Sequence, residues 1–304
     1  MKVLVTGGAG FIGSHITKIL LEKGHEVTVL DDLSTGHKEA LPEGVNLIEG
    51  KIQDQGRLDE ALVGQDAVIH MAAFIIVPQS VEKPLVYVEN NIMGTALLLE
   101  GMRKNGVRKV VLSSSATVYG ETETLPLEES APLGIPENTY GATKACMELL
   151  AQAYHKMFGL DVAILRYFNP YGPGEMHQPE THAIPNFIKA ALKKEPIPLY
   201  WQGEQVRDFI YVEDLALAHV DVLNLSGLNV FNIGTQKGTK IKDTLELIFK
   251  ILGYTVPIDD LGERKGDVMA NYASSAALTK ATGWENRTTL EAGLRKTIDV
   301  FKKS

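Results

Sequence analysis

The chain has 304 residues, 44% of them hydrophobic, which is more than one average domain and enough apolar surface for a sizeable core. Its 38 acidic and 30 basic side chains give a formal charge of −8, and with no run of Lys or Arg this argues against a nucleic-acid or anionic-membrane partner, so any phosphate must be met locally. No stretch reaches the roughly 18 apolar residues of a membrane span, the opening MKVLVTGG lacks the basic and apolar segments of a leader, and the single Cys146 forms no internal disulfide, so a cytoplasmic protein is expected.

Short β-branched runs at residues 2–6, 27–30, 45–48, 67–70, 109–113 and 162–166 alternate with helical periodicity at about 12–22, 55–62, 85–104 and 139–158. That alternation predicts a parallel sheet with right-handed crossovers, a Rossmann-like doubly wound α/β fold. From 169 to 185 the texture changes to Pro, Gly, Asn and His, turn chemistry that suits a loop over a site. Mixed patterns follow at 185–194, 212–223, 230–233, 241–252 and 290–301 and predict a smaller, discontinuous α/β substrate domain. The expected division is 1–168 plus about 208–234 for the first domain, and 169–207 plus about 235–304 for the second.

The first strand runs into Thr6-Gly7-Gly8-Ala9-Gly10-Phe11-Ile12-Gly13, with glycines in G-x-x-G-x-x-G spacing. Gly7 allows a tight turn, Gly10 lets backbone N–H groups approach a pyrophosphate, and Gly13 lets the helix pack on the sheet, while the helix amino terminus faces the negative charge. Asp31 ends the second strand about 20 residues further on, where a carboxylate grips a ribose hydroxyl. A carboxylate there repels a 2′-phosphate, so NAD is expected rather than NADP. His70-Met71-Ala72-Ala73 closes the fourth strand, and its small residues suit either close backbone approach to a cofactor or ordinary packing in a turn.

Ser113-Ser114-Ser115-Ala116-Thr117-Val118-Tyr119-Gly120 closes the fifth strand, and Tyr140-Gly141-Ala142-Thr143-Lys144 opens the next long helix. Tyr140 and Lys144 share a helix face, where a neighbouring ammonium favours phenolate and makes the tyrosine a general base. Ser115 or Thr117 supplies a hydroxyl to share the proton. A Y-x-x-x-K pair by itself also describes a plain surface helix, but here it follows a nucleotide half and a serine-rich strand end.

Thr6–His15, Asp31–Gly36, Ser113–Gly120, Tyr140–Lys144, Arg166–Pro170 and Arg207–Asp214 together resemble the extended short-chain dehydrogenase/reductase family nearly end to end, and within it the UDP-glucose 4-epimerases most. The resemblance implies NAD lined by Phe11, Ile12, Asp31, Asp32, Leu33, Ser34, Thr35, Gly36, Ile52, Met71, Ala72, Ala73, Ile75, Asn90, Ser113, Tyr140, Lys144 and Phe168. It places Ser115 and Tyr140 against the sugar and assigns Asn169, His182, Arg207 and Arg264 to the rest of a UDP-sugar, with an arginine fork suited to phosphate oxygens. Arg264 also reads as part of a solvated charged turn. Tyr200 reads either as a platform for uracil or as core. A homodimer through the two long helices is implied as well.

Relatives that eliminate water or handle 4-keto uronates resemble one another in carrying acidic residues just before V-Y-G, where this chain has Ala116 and Thr117. Without a carboxylate there, a 4-keto sugar turns over in the pocket and takes the hydride back on its other face, which is epimerisation of UDP-glucose and UDP-galactose. Asn271 stands where glucose-restricted epimerases present a large tyrosine, so UDP-GlcNAc and UDP-GalNAc are expected substrates too. The family's E-G-D-I reads Glu49-Gly50-Lys51-Ile52 here, and Lys51 cannot accept the adenine amino proton. Only the Ile52 backbone then meets adenine, and some cofactor loss on purification is expected.

Glu175, His177, Glu180 and His182 crowd one loop with metal-ligand chemistry, although their spacing matches no standard site and the reaction needs no metal. The alternatives are a UDP-glucuronate 4-epimerase or other nucleotide-sugar epimerase, an NAD-dependent dehydrogenase that releases NADH, and a non-catalytic NAD-sensing binding protein. Loss of Tyr140 or Lys144 would mark the last of these, and both are present.

Overall fold

A computed structural model describes residues 1–120, 124–175, 182–263 and 268–303. The six strands of the first half form as β1 (Lys2–Thr6), β2 (Glu26–Asp31), β3 (Asn46–Glu49), β4 (Ala67–His70), β5 (Lys109–Ser115) and β6 (Asp161–Tyr167). After four short strands, β7 (Asn169–Tyr171), β8 (Ile197–Leu199), β9 (Val206–Arg207) and β10 (Phe209–Tyr211), the chain returns in β11 (Leu228–Ile233) to the edge of the same sheet. The resulting order is β3-β2-β1-β4-β5-β6-β11, every neighbour parallel.

Both faces of this sheet are covered, which explains why its strands read as continuous apolar runs rather than as alternation. Val3 and Val5 face α1 (Phe11–Glu22) and α8 (Val212–Asp221), packing with Ile16, Leu20 and Leu215. Leu4, one position out of phase, faces the opposite layer of α2 (Gln55–Leu62), α5 (Gly94–Asn105) and α6 (Thr139–Phe158), among Leu58, Leu98 and Met147. The strand order reverses between β1 and β4, which opens the crevice where an open α/β sheet receives a ligand at its carboxyl ends.

The single helix expected over 85–104 is broken. Short α3 (Val77–Glu82) and α4 (Pro84–Tyr87) lead into a π-helical turn at Val88–Met93, and only then does α5 begin. The wide turn accompanies long-range bonds: buried Asn91 bonds to the Phe74 backbone through both ends of its amide and donates to Thr143 on α6.

The remaining strands form three small sheets. β7 pairs with β10; β9 lies between β12 (Thr239–Lys240) and β14 (Ala270–Asn271); β8 pairs with β13 (Ile258–Asp260). Helices α7 (Ala183–Lys193), α9 (Ile241–Leu252) and α11 (Leu290–Phe301), with α10 (Ala276–Thr282) preceding the last, complete this part. Ile184, Ile188, Leu245, Ile248, Leu294 and Ile298 form its separate apolar core.

Candidate active site

At the carboxyl end of β1 the glycines have distinct surroundings. Gly7 sits at φ +70, and a Cβ there would lie 2.7 Å from the Ala72 nitrogen; a Cβ on Gly13 would lie 2.2 Å from the Gly7 carbonyl oxygen. Neither position admits a side chain. At Gly10 the nearest atom to such a Cβ is the Gly7 oxygen at 3.3 Å, so the cradle is open on the side of the helix terminus. Helix α1 has no acidic residue in its first turn and no side-chain cap, which leaves its positive end available to an anion.

Asp31 is 8% exposed and braces this loop from the next strand, its carboxylate accepting the Ala9 and Leu33 N–H groups at 2.9 Å each. Burial raises its pKa, and those two bonds oppose the rise. Asp32 closes a turn on Ser34, Leu33 takes φ 56, Thr35 is exposed, and Gly36 packs on Ala9. Ile52 is buried against Gly94, while Lys51 is exposed. Met71, Ala72 and Ala73 are partly buried at the β4 end, and Ile75 is exposed beyond them. Asn90 donates to Asn91 and accepts from Gln53. An open glycine cradle, an uncompensated helix terminus and a buried carboxylate one strand over make a donor and acceptor set that fits a dinucleotide.

The catalytic residues come from two adjoining elements. Ser113 and Ser115 end β5; Tyr140 and Lys144 occupy the first turns of α6, which is capped by Asn138 accepting the Gly141 N–H. Lys144 Nζ donates to the Ser113 carbonyl at 2.9 Å and to its hydroxyl at 3.1 Å. Ser115 stands beside the Tyr140 phenol and favours its ionised form, whereas the Thr117 hydroxyl is buried without a partner among the described residues and the Thr117 N–H donates to Ser115.

The electrostatics correct the expectation that Lys144 lowers the Tyr140 pKa. Burial pushes Tyr140 up to about 12, Ser115 only partly opposing it, and Tyr87 adds to the rise. Burial also brings Lys144 down to about 7 against the opposing pull of Glu148. Lys144 is bonded to Ser113, and desolvation is the largest influence at the phenol.

Behind this pair lies a buried polar scaffold that no sequence motif marks. Glu148 takes two bonds from Arg166 on β6, at 3.0 and 2.7 Å, and one from Ser114. Arg166 also donates to Tyr119, whose hydroxyl in turn donates to the Asn232 side-chain oxygen at 2.6 Å. A second chain crosses the β1–β4 crevice. Thr95 donates to the Asn91 carbonyl, so its oxygen accepts from His70 Nε2 at 2.9 Å, and His70 Nδ1 accepts from Thr6 at 2.7 Å. Asn91 continues it to Thr143, which donates to the Tyr140 carbonyl. Periodicity held one clue, since Glu148 falls four residues after Lys144 on the same helix face; nothing in the local sequence marked Asn91's partners.

Beyond β6, Phe168 and Asn169 open a cleft of about 300 Å³ that is also lined by His182, Tyr200, Gln205, Arg207 and Phe209. Four of the residues assigned to a UDP-sugar, Asn169, His182, Tyr200 and Arg207, therefore meet in one place. Asn169 donates to the Asp208 carbonyl, and His182 pairs with buried Glu175. The backbone is left-handed at Trp201 and Gln202, φ 48 and 51, and reverses directly after Tyr200. Asn271 lies outside the cleft lining, beside Arg207 across β14 and β9, with its side-chain oxygen buried and unpartnered among the described residues. Arg264, His177 and Glu180 lie outside the described residues, among which no group of three or more metal-ligand side chains occurs.

Over residues 3–234 the sequence matches the NAD dependent epimerase/dehydratase family. It is 40% identical to the UDP-glucose 4-epimerase of Halalkalibacterium halodurans, across 94% of this chain and 90% of that one. The structure is similar to UDP-glucose 4-epimerase of Thermotoga maritima solved with UDP-glucose, with a TM-score of 0.95, 35% identity and coverage of 100% and 99% of the two chains. It is also similar to UDP-N-acetylglucosamine 4-epimerase of Methanobrevibacter ruminantium in complex with UDP-N-acetylmuramic acid, with a TM-score of 0.94, 37% identity and coverage of 99% and 98%.

Proposed function

The chain belongs to the NAD-dependent epimerase/dehydratase family, and from that membership we propose that it interconverts UDP-glucose and UDP-galactose through a transient 4-keto sugar. The observation that carries this reading is the Ser115–Tyr140 pair at the carboxyl end of a parallel sheet, with Ala116 and Thr117 rather than a carboxylate beside it. NAD supplies a reversible hydride acceptor and the positive charge of its oxidised ring.

The residues that would hold it are the Gly7–Gly13 loop, Asp31 and the turn after it, and the backbone at Met71–Ala73. Tyr140 takes the proton of the sugar 4-hydroxyl and later returns it, so the cycle needs no proton exchange with solvent. Ser115 shares that proton, and Lys144 is fixed by Ser113. With burial pushing Tyr140 up to about 12, the positive charge of the oxidised ring would, when bound, favour its ionised form. Asn169, His182, Tyr200 and Arg207 hold the nucleotide end, and Arg264 joins them in this reading. The test is formation of UDP-glucose from UDP-galactose without net NADH.

Asn271 favours a second substrate class. A side chain smaller than tyrosine, beside the cleft-lining Arg207 and with a buried oxygen unpartnered among the described residues, supports acceptance of an N-acetyl group, as in UDP-GlcNAc and UDP-GalNAc. We read residues 1–168 with about 208–234 as the cofactor half and the rest as the sugar-nucleotide half.

A homodimer is proposed through the 85–104 segment and α6, where Leu85, Met93, Leu149 and Met157 are 78%, 54%, 57% and 60% exposed. A cytoplasmic setting is part of the same reading; among the described residues no helix is long and apolar enough to cross a membrane.

A further inference from the structure

Gln205 is 5% exposed, lines the same cleft as Tyr200 and Arg207, and has a side-chain oxygen with no hydrogen-bond partner among the described residues. Buried carboxamide oxygens are nearly always paired, so an orphan on a residue that lines a cleft marks where a donor is to arrive. The backbone at Gln205 is held in place. Its carbonyl accepts the Ile241 N–H at 2.9 Å, and the next residue enters β9 between two neighbouring strands. Two positions on, Arg207 projects to the same side of the extended segment.

The surrounding wall sets the class of donor. Pro198, Leu199, Phe209 and Ile241 make this part of the cleft apolar, with the Tyr200 ring as its aromatic member. Such a surface suits a nucleobase and the ribose edge next to it better than a diphosphate, which Arg207 addresses. A diphosphate also offers acceptors only, and an acceptor cannot satisfy the Gln205 oxygen.

We propose that Gln205 is a specificity-determining residue whose carboxamide oxygen accepts a hydrogen bond from the nucleoside part of the substrate, either the imide N–H of uracil or a ribose hydroxyl. This rests on the UDP-sugar reading above. Gln205 selects for nucleosides that carry that donor, because any other leaves the buried oxygen unsatisfied.

The test is calorimetric titration of the NAD-loaded protein and of Gln205→Met with UDP, 2′-deoxy-UDP, 3′-deoxy-UDP and 3-methyl-UDP. Loss of one hydrogen bond to a buried acceptor corresponds to about 5- to 20-fold in affinity, which is the expected weakening of UDP by the substitution. One modified nucleotide, the one lacking the partner, binds the unsubstituted protein more weakly by a similar factor and loses nothing further on Gln205→Met. Its identity separates base from ribose. UDP binding equally to both proteins, or an equal loss for all four nucleotides, overturns the inference and leaves the epimerase reading standing. The unmodified and modified ligands all binding the unsubstituted protein alike also overturns it, whether or not the variant folds. Absence of UDP binding to the unsubstituted protein overturns the UDP-sugar reading and this inference with it.

Discussion

Glu148 and Arg166 form a doubly hydrogen-bonded ion pair, 3.0 and 2.7 Å, directly behind the strand end that carries Ser113 and Ser115. Side chains alternate along β5, so Ser114 reaches this pair on the α6 face while its two neighbours turn the other way. The pair thereby ties β5, β6 and α6 together at the site. Arg166→Met leaves a buried carboxylate without its counter-ion and is expected to cost about 3–5 kcal/mol. Urea denaturation measures it, and the double variant Glu148→Leu/Arg166→Met is expected to lose less. A single-variant loss below about 1 kcal/mol, typical of an exposed pair, contradicts the assignment.

Tyr140→Phe removes the group that takes the substrate proton and keeps the ring. The expected result is a fall in kcat of about 10²- to 10⁴-fold with NAD content unchanged. A variant of near-normal kcat assigns the proton to another group.

Two buried histidines make stability depend on acid. Burial holds His70 at about 3 and His219 at about 4, both below the ordinary 6.5, so each folds in its neutral form. The unfolded chain binds their protons first; stability is therefore fully present above pH 6.5 and is lost as pH falls through that value toward 3–4. At about 1.4 kcal/mol per pH unit and per group, His70→Asn is expected to flatten the decline of urea stability between pH 6.5 and 4.5. An unchanged slope in the variant shows that His70 is not buried neutral.

Much of this was legible in advance because periodicity and turn chemistry are local. The helices at 55–62, 139–158, 241–252 and 290–301 fall at the expected residues, and so do β1 and β4. The 85–104 segment misled because its apolar pattern continues through Asn90 and Asn91, and only the distant partners Phe74 and Thr143 explain the wide turn. The state of Tyr140 misled for a similar reason: spacing shows that Lys144 shares its face but not that the ammonium bonds to Ser113 or how deeply the phenol is buried. Asn169, Tyr200, Gln205 and Arg207 meet only through β7, β8 and β9, which are too short to carry a pattern.

Asn271→Tyr fills the space assigned to an N-acetyl group. The variant is expected to keep UDP-galactose turnover and to lose most turnover of UDP-GalNAc, measured side by side by NMR. Equal losses on both substrates, or no turnover of acetylated sugars by the unsubstituted protein, contradict the role given to Asn271.

The most direct measurement is incubation of the purified protein with UDP-galactose, without added reductant, with products followed by NMR and reduced cofactor by absorbance. UDP-glucose accumulating to equilibrium with no net NADH is the predicted result. Stoichiometric NADH identifies a dehydrogenase instead, and unchanged UDP-galactose with NAD bound contradicts the assignment of this sugar.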